Sequence, residues 1–226
     1  MSSSTVIRLS GLAALVGFVD VAVIDAVYPF TFPDTVALSI ATVSDTWFVL
    51  HLLYIIALLI GLVGLLGLYA RQAEKTGVLG LIGVLMIFFG FGLLFAWEWM
   101  ETLIWPVLAQ TAPRLLDHPD QNLNQALTAS QTIHWLLISV GLILFGVATL
   151  RASVLPRGAA VLVLAGMVVA LVVNVVGVEV PLVAAVSGPL PTLGLAWMGY
   201  AVWSHGGTTA SSPAPSTAGG PAPAVH

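Results

Sequence analysis

"HLLYIIALLIGLVGLLGLYARQAEKTGVLGLIGVLMIFFGFGLLFAWEWMETLIW", residues 51–105, is two apolar runs separated by one short charged island, RQAEKTG at 71–77. A bilayer core about 30 Å thick takes about 20 apolar residues as helix. Each run is long enough to cross, so the stretch reads as a membrane hairpin. The whole chain has the same character: of 226 residues, 59% are hydrophobic and 7% charged, with a mean hydropathy of +1.06. A soluble domain carries about 25% charged residues, so the composition reads as an integral membrane protein of the all-α class.

Working outward, six segments are long and apolar enough to span: 6–28, 46–70, 77–105, 130–150, 158–178 and 181–203. The sixth contains "SGPLP", and proline removes backbone bonds, so a kink or break is expected at Pro189 or Pro191. The first segment reads as a retained span rather than a cleaved leader, because Asp20 and Asp25 interrupt it and only Arg8 precedes it as a basic residue. Residues 1–204 thus form the transmembrane domain. Residues 205–226 form a tail rich in Pro, Gly, Ser and Ala, expected to be disordered because it has too little apolar surface to fold.

Five of the six cations, Arg8, Arg71, Lys75, Arg151 and Arg157, fall on one side of an up-down arrangement, and only Arg114 falls opposite. By the positive-inside rule both termini are cytoplasmic and the connections 29–45 and 106–129 face out. The net charge of −4, with no basic run, excludes nucleic acid as a partner and leaves the lipid bilayer. With no cysteine, disulfides, thiolate metal sites and covalent haem attachment are excluded. Lys75, the only lysine, sits in a connection, which excludes a retinal Schiff base. No H-E-x-x-H, G-x-S-x-G or P-loop pattern is present.

The remaining ionisable residues are distributed unevenly. At 1.5 Å per residue, His51 lies roughly 30 Å from Arg71 and His134 roughly 25 Å from Arg151. On the same scale Glu98 and Glu101 reach the outer layer, as does Asp25, with Asp20 somewhat deeper. Asn174 and Glu179 return to that layer at the end of the fifth segment. Trp47, Trp97, Trp99, Trp105 and Trp135 at this level read as an outer aromatic belt, beside which Glu101, Asp25 and Glu179 could be interfacial only. In the loop, Asp117, His118 and Asp120 of "LDHPDQN" read as a solvated turn, at most a lid.

A charge in the hydrocarbon costs at least about 2.5–3.5 kcal/mol unless paired or hydrated. Asp20, His51, Glu98 and His134 therefore imply either an internal network that fixes packing or a site. Glu98 and Glu101 are i, i+3 and share a helix face. With His51 and His134 they form a candidate set for a divalent metal. Two histidines at one depth are also the pattern that holds a haem b axially. Without metal, the same groups would line a pocket for a proton, cation or small ligand, as in transporters; this is the leading reading. A third reading makes them contacts to a partner subunit or a second copy of the chain. An enzymatic role is not favoured, since no catalytic pattern appears.

"HLLYIIALLIGLVGLLGLYAR" and "HWLLISVGLILFGVATLR", at 51–71 and 134–151, each run from histidine to arginine and read as a candidate internal repeat that would make His51 and His134 equivalent. "GLVGLLGLYARQAEKTGVLGLIG" at 61–83 together with "LFGVATLRASVLPRGAAVLVLAG" at 144–166 resembles a group of small bacterial integral membrane proteins known mainly as hypothetical proteins. The resemblance spans 46–203. It implies a six-helix protein of the bacterial plasma membrane and carries no activity or functional residues with it.

Overall fold

Without water to bond to, backbone in lipid must satisfy its N–H and C=O groups internally, and the chain does so with helix alone. The computed structural model describes residues 3–33, 35–176 and 180–205, and these contain no strand. The elements are α1 (Ser3–Thr31), α2 (Leu38–Ala41), α3 (Asp45–Leu103), α4 (Trp105–Thr111), α5 (Arg114–Asp117), α6 (Gln121–Ala152), α7 (Arg157–Val176), α8 (Pro181–Ser187) and α9 (Pro189–His205). Four helical stretches, Thr5–Thr31, Asp45–Thr111, Gln121–Ala152 and Pro181–Ser204, are long and apolar enough to cross a membrane. Large apolar side chains such as Val63, Val78, Phe89 and Leu182 lie exposed around the bundle, as a lipid-facing surface requires. Glu179 and the tail from 206 onward lie outside the described residues, as does the side chain of Asn174.

α3 is folded back on itself. Its helical geometry breaks at Gly77, where φ is 56° and ψ −151°, a conformation only glycine adopts freely. In a straight helix His51 and Glu101 would lie roughly 75 Å apart, yet their side chains meet at 3.0 Å. The arms 45–76 and 78–103 are therefore antiparallel. The charged island is not the loop expected from sequence: helix continues through Arg71 and Lys75 to Thr76, and Gly77 alone makes the turn. Gln72, expected in that connection, is buried and donates from Nε2 to Thr149 Oγ1 of α6 at 3.0 Å. The α6–α7 turn is built differently, on left-handed Ser153, whose Oγ accepts from Arg157 Nε and Nη2. The two hairpins proposed as repeats thus turn by different devices.

The bundle closes as a ring: α3 packs on α1 and α6, α6 on α7, α7 on α9, and α9 on α1. Between apolar helices in lipid, association depends on close backbone approach at small residues. Gly61, Gly64 and Gly67 of α3 meet Gly17, Ala14 and Ser10 of α1. Gly83 and Gly141 make the corresponding seam between α3 and α6. One side of the ring is interrupted: α8 ends at Ser187 and α9 begins at Pro189, with Gly188 between. The break falls directly before the first of the two prolines, where a missing N–H suits the first turn of a new helix. At one end of the bundle Ile7, Arg71, Gln72, Lys75 and Val154 surround one cavity. This brings together the start of α1, the Gly77 turn and the α6–α7 turn. With Arg71 and Lys75 there, this is the basic end of the bundle.

A Cβ at Gly64 would sit 2.2 Å from the backbone nitrogen of Ala14, whereas one at Gly92 meets nothing within 4 Å. The same substitution should therefore have opposite effects. Gly64→Ala is expected to cost about 1–3 kcal/mol through overpacking, and Gly92→Ala to gain up to about 1 kcal/mol in helix propensity. Thermal unfolding of both variants in one detergent checks this; equal shifts would count against the seam.

Candidate functional site

At the end opposite the basic one, α1 and the two arms of α3 enclose a cavity of about 230 Å³ lined by Ile24, Asp25, Tyr28, Leu50, His51, Tyr54, Glu98 and Glu101. His51, Glu98 and Glu101 are each 9% exposed or less. The helical register explains their convergence. Buried Leu58, Leu65 and Leu68 extend back by steps of three or four to Tyr54, His51 and Trp47. On the second arm Val84, Ile87 and Phe91 extend forward to Leu94, Glu98 and Glu101. On α1 the inward stripe Ala14, Phe18, Val21 reaches Asp25.

Glu101 is the most connected of these residues. Its Oε2 lies 3.0 Å from His51 Nε2, and its Oε1 accepts from Trp97 Nε1 at 2.7 Å. Its backbone carbonyl accepts from Trp47 Nε1 at 3.0 Å. His51 Nδ1 lies 2.8 Å from the carbonyl oxygen of Trp47; a carbonyl only accepts, so Nδ1 carries the hydrogen. The Nε2 lone pair of the neutral ring then faces a carboxylate oxygen. That contact requires a proton or another cation between them.

Glu98 differs from Glu101. Its backbone carbonyl accepts from Thr102 Oγ1 at 2.6 Å, while its carboxylate has no hydrogen-bond partner among the described residues. Ligand atoms of His51, Glu98 and Glu101 all lie within 4.8 Å of one another. Zinc bonds of about 2.0–2.2 Å in a tetrahedron set neighbouring donors about 3.4 Å apart, so inward shifts of about an ångström would close three ligands on one ion. The orienting bonds also fit, since ligating histidines are held by a hydrogen bond from the other ring nitrogen. No lysine or arginine lines the cavity. Three carboxylates, Asp25, Glu98 and Glu101, therefore face one imidazole.

Aromatic rings close the far side. Trp47 stacks on His51 at 4.1 Å between ring centroids and packs against Phe32 and Trp105; Trp97 meets Trp105 edge-on. These tryptophans were expected to form an interfacial belt. Instead Trp47, Trp97 and Trp105 are buried, at 1%, 7% and 7% exposure, in an aromatic plug beside the site. Trp99 alone is exposed as expected, and Trp135 lines an interior cavity. The reading of Glu101 and Asp25 as merely interfacial is corrected in the same way, because both face the bundle.

The expected site residues separate into two groups. His51, Glu98, Glu101 and Asp25 come together, joined by Tyr54 and Tyr28, which depth counting along the chain had passed over. Asp20 does not join them: it is exposed, on the far side of α1 from Asp25. His134 is buried but does not line the cavity; its ring packs 6.2 Å from Trp97. A haem would need both histidines open to one space, and only His51 opens to this one. The polar loop residues have structural roles. Asp120 caps α6 by accepting from Leu123 N, and Asp117 accepts from Ser39 N at 2.9 Å and Ser39 Oγ at 2.6 Å. That clasp joins α5 to α2 across the end of the bundle. Comparison of the chain with protein-family models, curated proteins and solved structures gives no match.

The two Ser39 bonds hold the Asp117 carboxyl below its usual range. A group depressed on folding contributes stability above its unfolded value, near pH 3.9, and loses that contribution as pH falls through the folded value. The clasp should therefore hold at neutral pH and open only under strong acid. Hydrogen exchange at the Ser39 amide should be slow at pH 7 and fast in Asp117→Ala; equal rates would show that no clasp forms.

Proposed function

We propose that the protein is a six-span bacterial plasma-membrane protein that binds a divalent cation in the outer half of the bilayer, in a transport-like site formed by His51, Glu98 and Glu101. The observation that carries this reading is the Glu98 carboxylate, which lines the cavity beside the His51–Glu101 pair without a hydrogen-bond partner among the described residues. Two buried carboxylates within 4.8 Å of an imidazole, with no lysine or arginine lining the cavity, lack positive charge. A carboxylate pair held there without a cation takes up a proton instead, so a metal ion would bind in exchange for that proton. Imidazole and carboxylate together suit zinc, manganese or iron. Three protein ligands leave coordination positions open on the cavity side, as an ion that must enter and leave requires.

Six crossings follow if each arm of α3 spans once and the other spans are α1, α6, α7 and the α8–α9 unit. The clustering of Arg71 and Lys75 with the start of α1 supports a cytoplasmic basic end under the positive-inside rule; on this reading both termini are inside and the cavity outside.

Purified full-length protein should bind about one equivalent of Mn²⁺ or Zn²⁺ by calorimetry and elemental analysis. Its Co²⁺ form should show visible bands from histidine and carboxylate ligation. His51→Ala and Glu98→Gln should each weaken binding by at least about tenfold, the scale on which even outer-shell substitutions act. Protein that binds no metal would overturn the divalent reading; if it also showed Glu98-independent proton uptake, the cation reading would fall with it. For topology, a periplasm-active reporter fused after residue 113 should be active and the same reporter at the C-terminus inactive. The reverse pattern would invert the proposed orientation.

A further inference from the structure

Beyond the cation cavity lies a larger one of about 560 Å³ at the centre of the ring, bounded by α1, α3, α6, α7, α8 and α9. Its volume falls in the range of about 300–1,000 Å³ that small-molecule sites occupy. The two cavities share Asp25 and Tyr54 as lining residues. One wall of an otherwise mainly apolar chamber therefore carries a carboxylate, and no lysine or arginine lines it.

The rest of the lining supplies what an organic ion needs. Phe91, Trp135 and Met167 are among the lining residues; aromatic rings attract cations, and thioethers adapt to irregular apolar shapes. Ser139, only 3% exposed, is among the lining residues, and its Oγ has no hydrogen-bond partner among the described residues. A buried hydroxyl left unsatisfied is costly, which marks Ser139 as a position on the chamber wall where the packing is incomplete.

We infer that the central chamber is a second binding site, for a lipophilic organic cation whose apolar body fills the space among Phe91, Trp135 and Met167 and whose charge faces Asp25. This goes beyond the metal-type site and does not depend on it. The occupant is too large for the cation cavity, and its recognition uses Asp25 rather than His51, Glu98 or Glu101.

The test uses full-length protein in lipid nanodiscs and labelled tetraphenylphosphonium, with empty discs as the partition control. Saturable binding of about one per chain is expected, weakened at least tenfold by the near-isosteric Asp25→Asn. A second readout relies on the absence of cysteine in the chain. Ser139→Cys introduces a single thiol, whose labelling by a small methanethiosulfonate should slow at least tenfold when tetraphenylphosphonium is added. Three outcomes would overturn the inference: no saturable binding above empty discs, unchanged binding in Asp25→Asn with no protection of the thiol, or equal binding of neutral triphenylphosphine oxide. Metal equivalents are counted separately, so either site can fail while the other stands.

Discussion

Glu101 fastens the two arms of α3 together, and the site exists because of that fastening. Its carbonyl and both carboxylate oxygens are engaged, by Trp47, His51 and Trp97, so the first turns of one arm are bound to the last turns of the other. In an apolar medium each of these bonds is made at low dielectric, where a satisfied polar network rigidifies its surroundings. The Gly77 turn sets the opposite end. With both ends fixed, the arms have no freedom to slide, and Glu98, one turn before Glu101, is held in the cavity without a bond of its own.

Two kinds of order support this arrangement. Glycine seams bring backbones close along α1–α3 and α3–α6, while aromatic stacking around Trp47, Trp97 and Trp105 closes the end beside the site. The seams act through dispersion contacts that depend on distance, and the plug acts through large rigid rings and two indole N–H donors. The site lies where the two meet, which gives its ligand atoms fixed positions in a cavity that remains open.

Much of this was legible in the sequence. Apolar length gave the helices, and counting along each helix placed His51, Glu98, Glu101 and Asp25 at one level. Counting gives the axial coordinate only. Rotation about the axis is poorly marked in helices that are apolar all round, and there structure and sequence differ: Asp25 rather than Asp20 lines the cavity, Trp47 and Trp97 are buried rather than turned to the lipid, and His134 lies outside it. A signal for rotation was present. Gly11, Ala14, Phe18, Val21 and Asp25 follow one three-and-four spacing, as do His51, Tyr54, Leu58, Gly61, Leu65 and Leu68. Small residues in such a stripe mark the packed face, and Asp20 falls outside it. The clasp between Asp117 and Ser39 had no such signal, since it joins residues 78 positions apart through short loops.

The break between α8 and α9 also shapes the chamber chemically. Pro189 and Pro191 have no N–H, so the carbonyls of Ala185 and Ser187 lose the donors that an unbroken helix would have given them. Such groups are tolerated at membrane depth only where protein or an internal cavity surrounds them, and Ala184, Ser187, Gly188, Pro191 and Thr192 do line the central chamber. The main chain itself therefore gives that wall part of its polarity. Unlike a side-chain group, this contribution is not removed by substituting the residues that carry it.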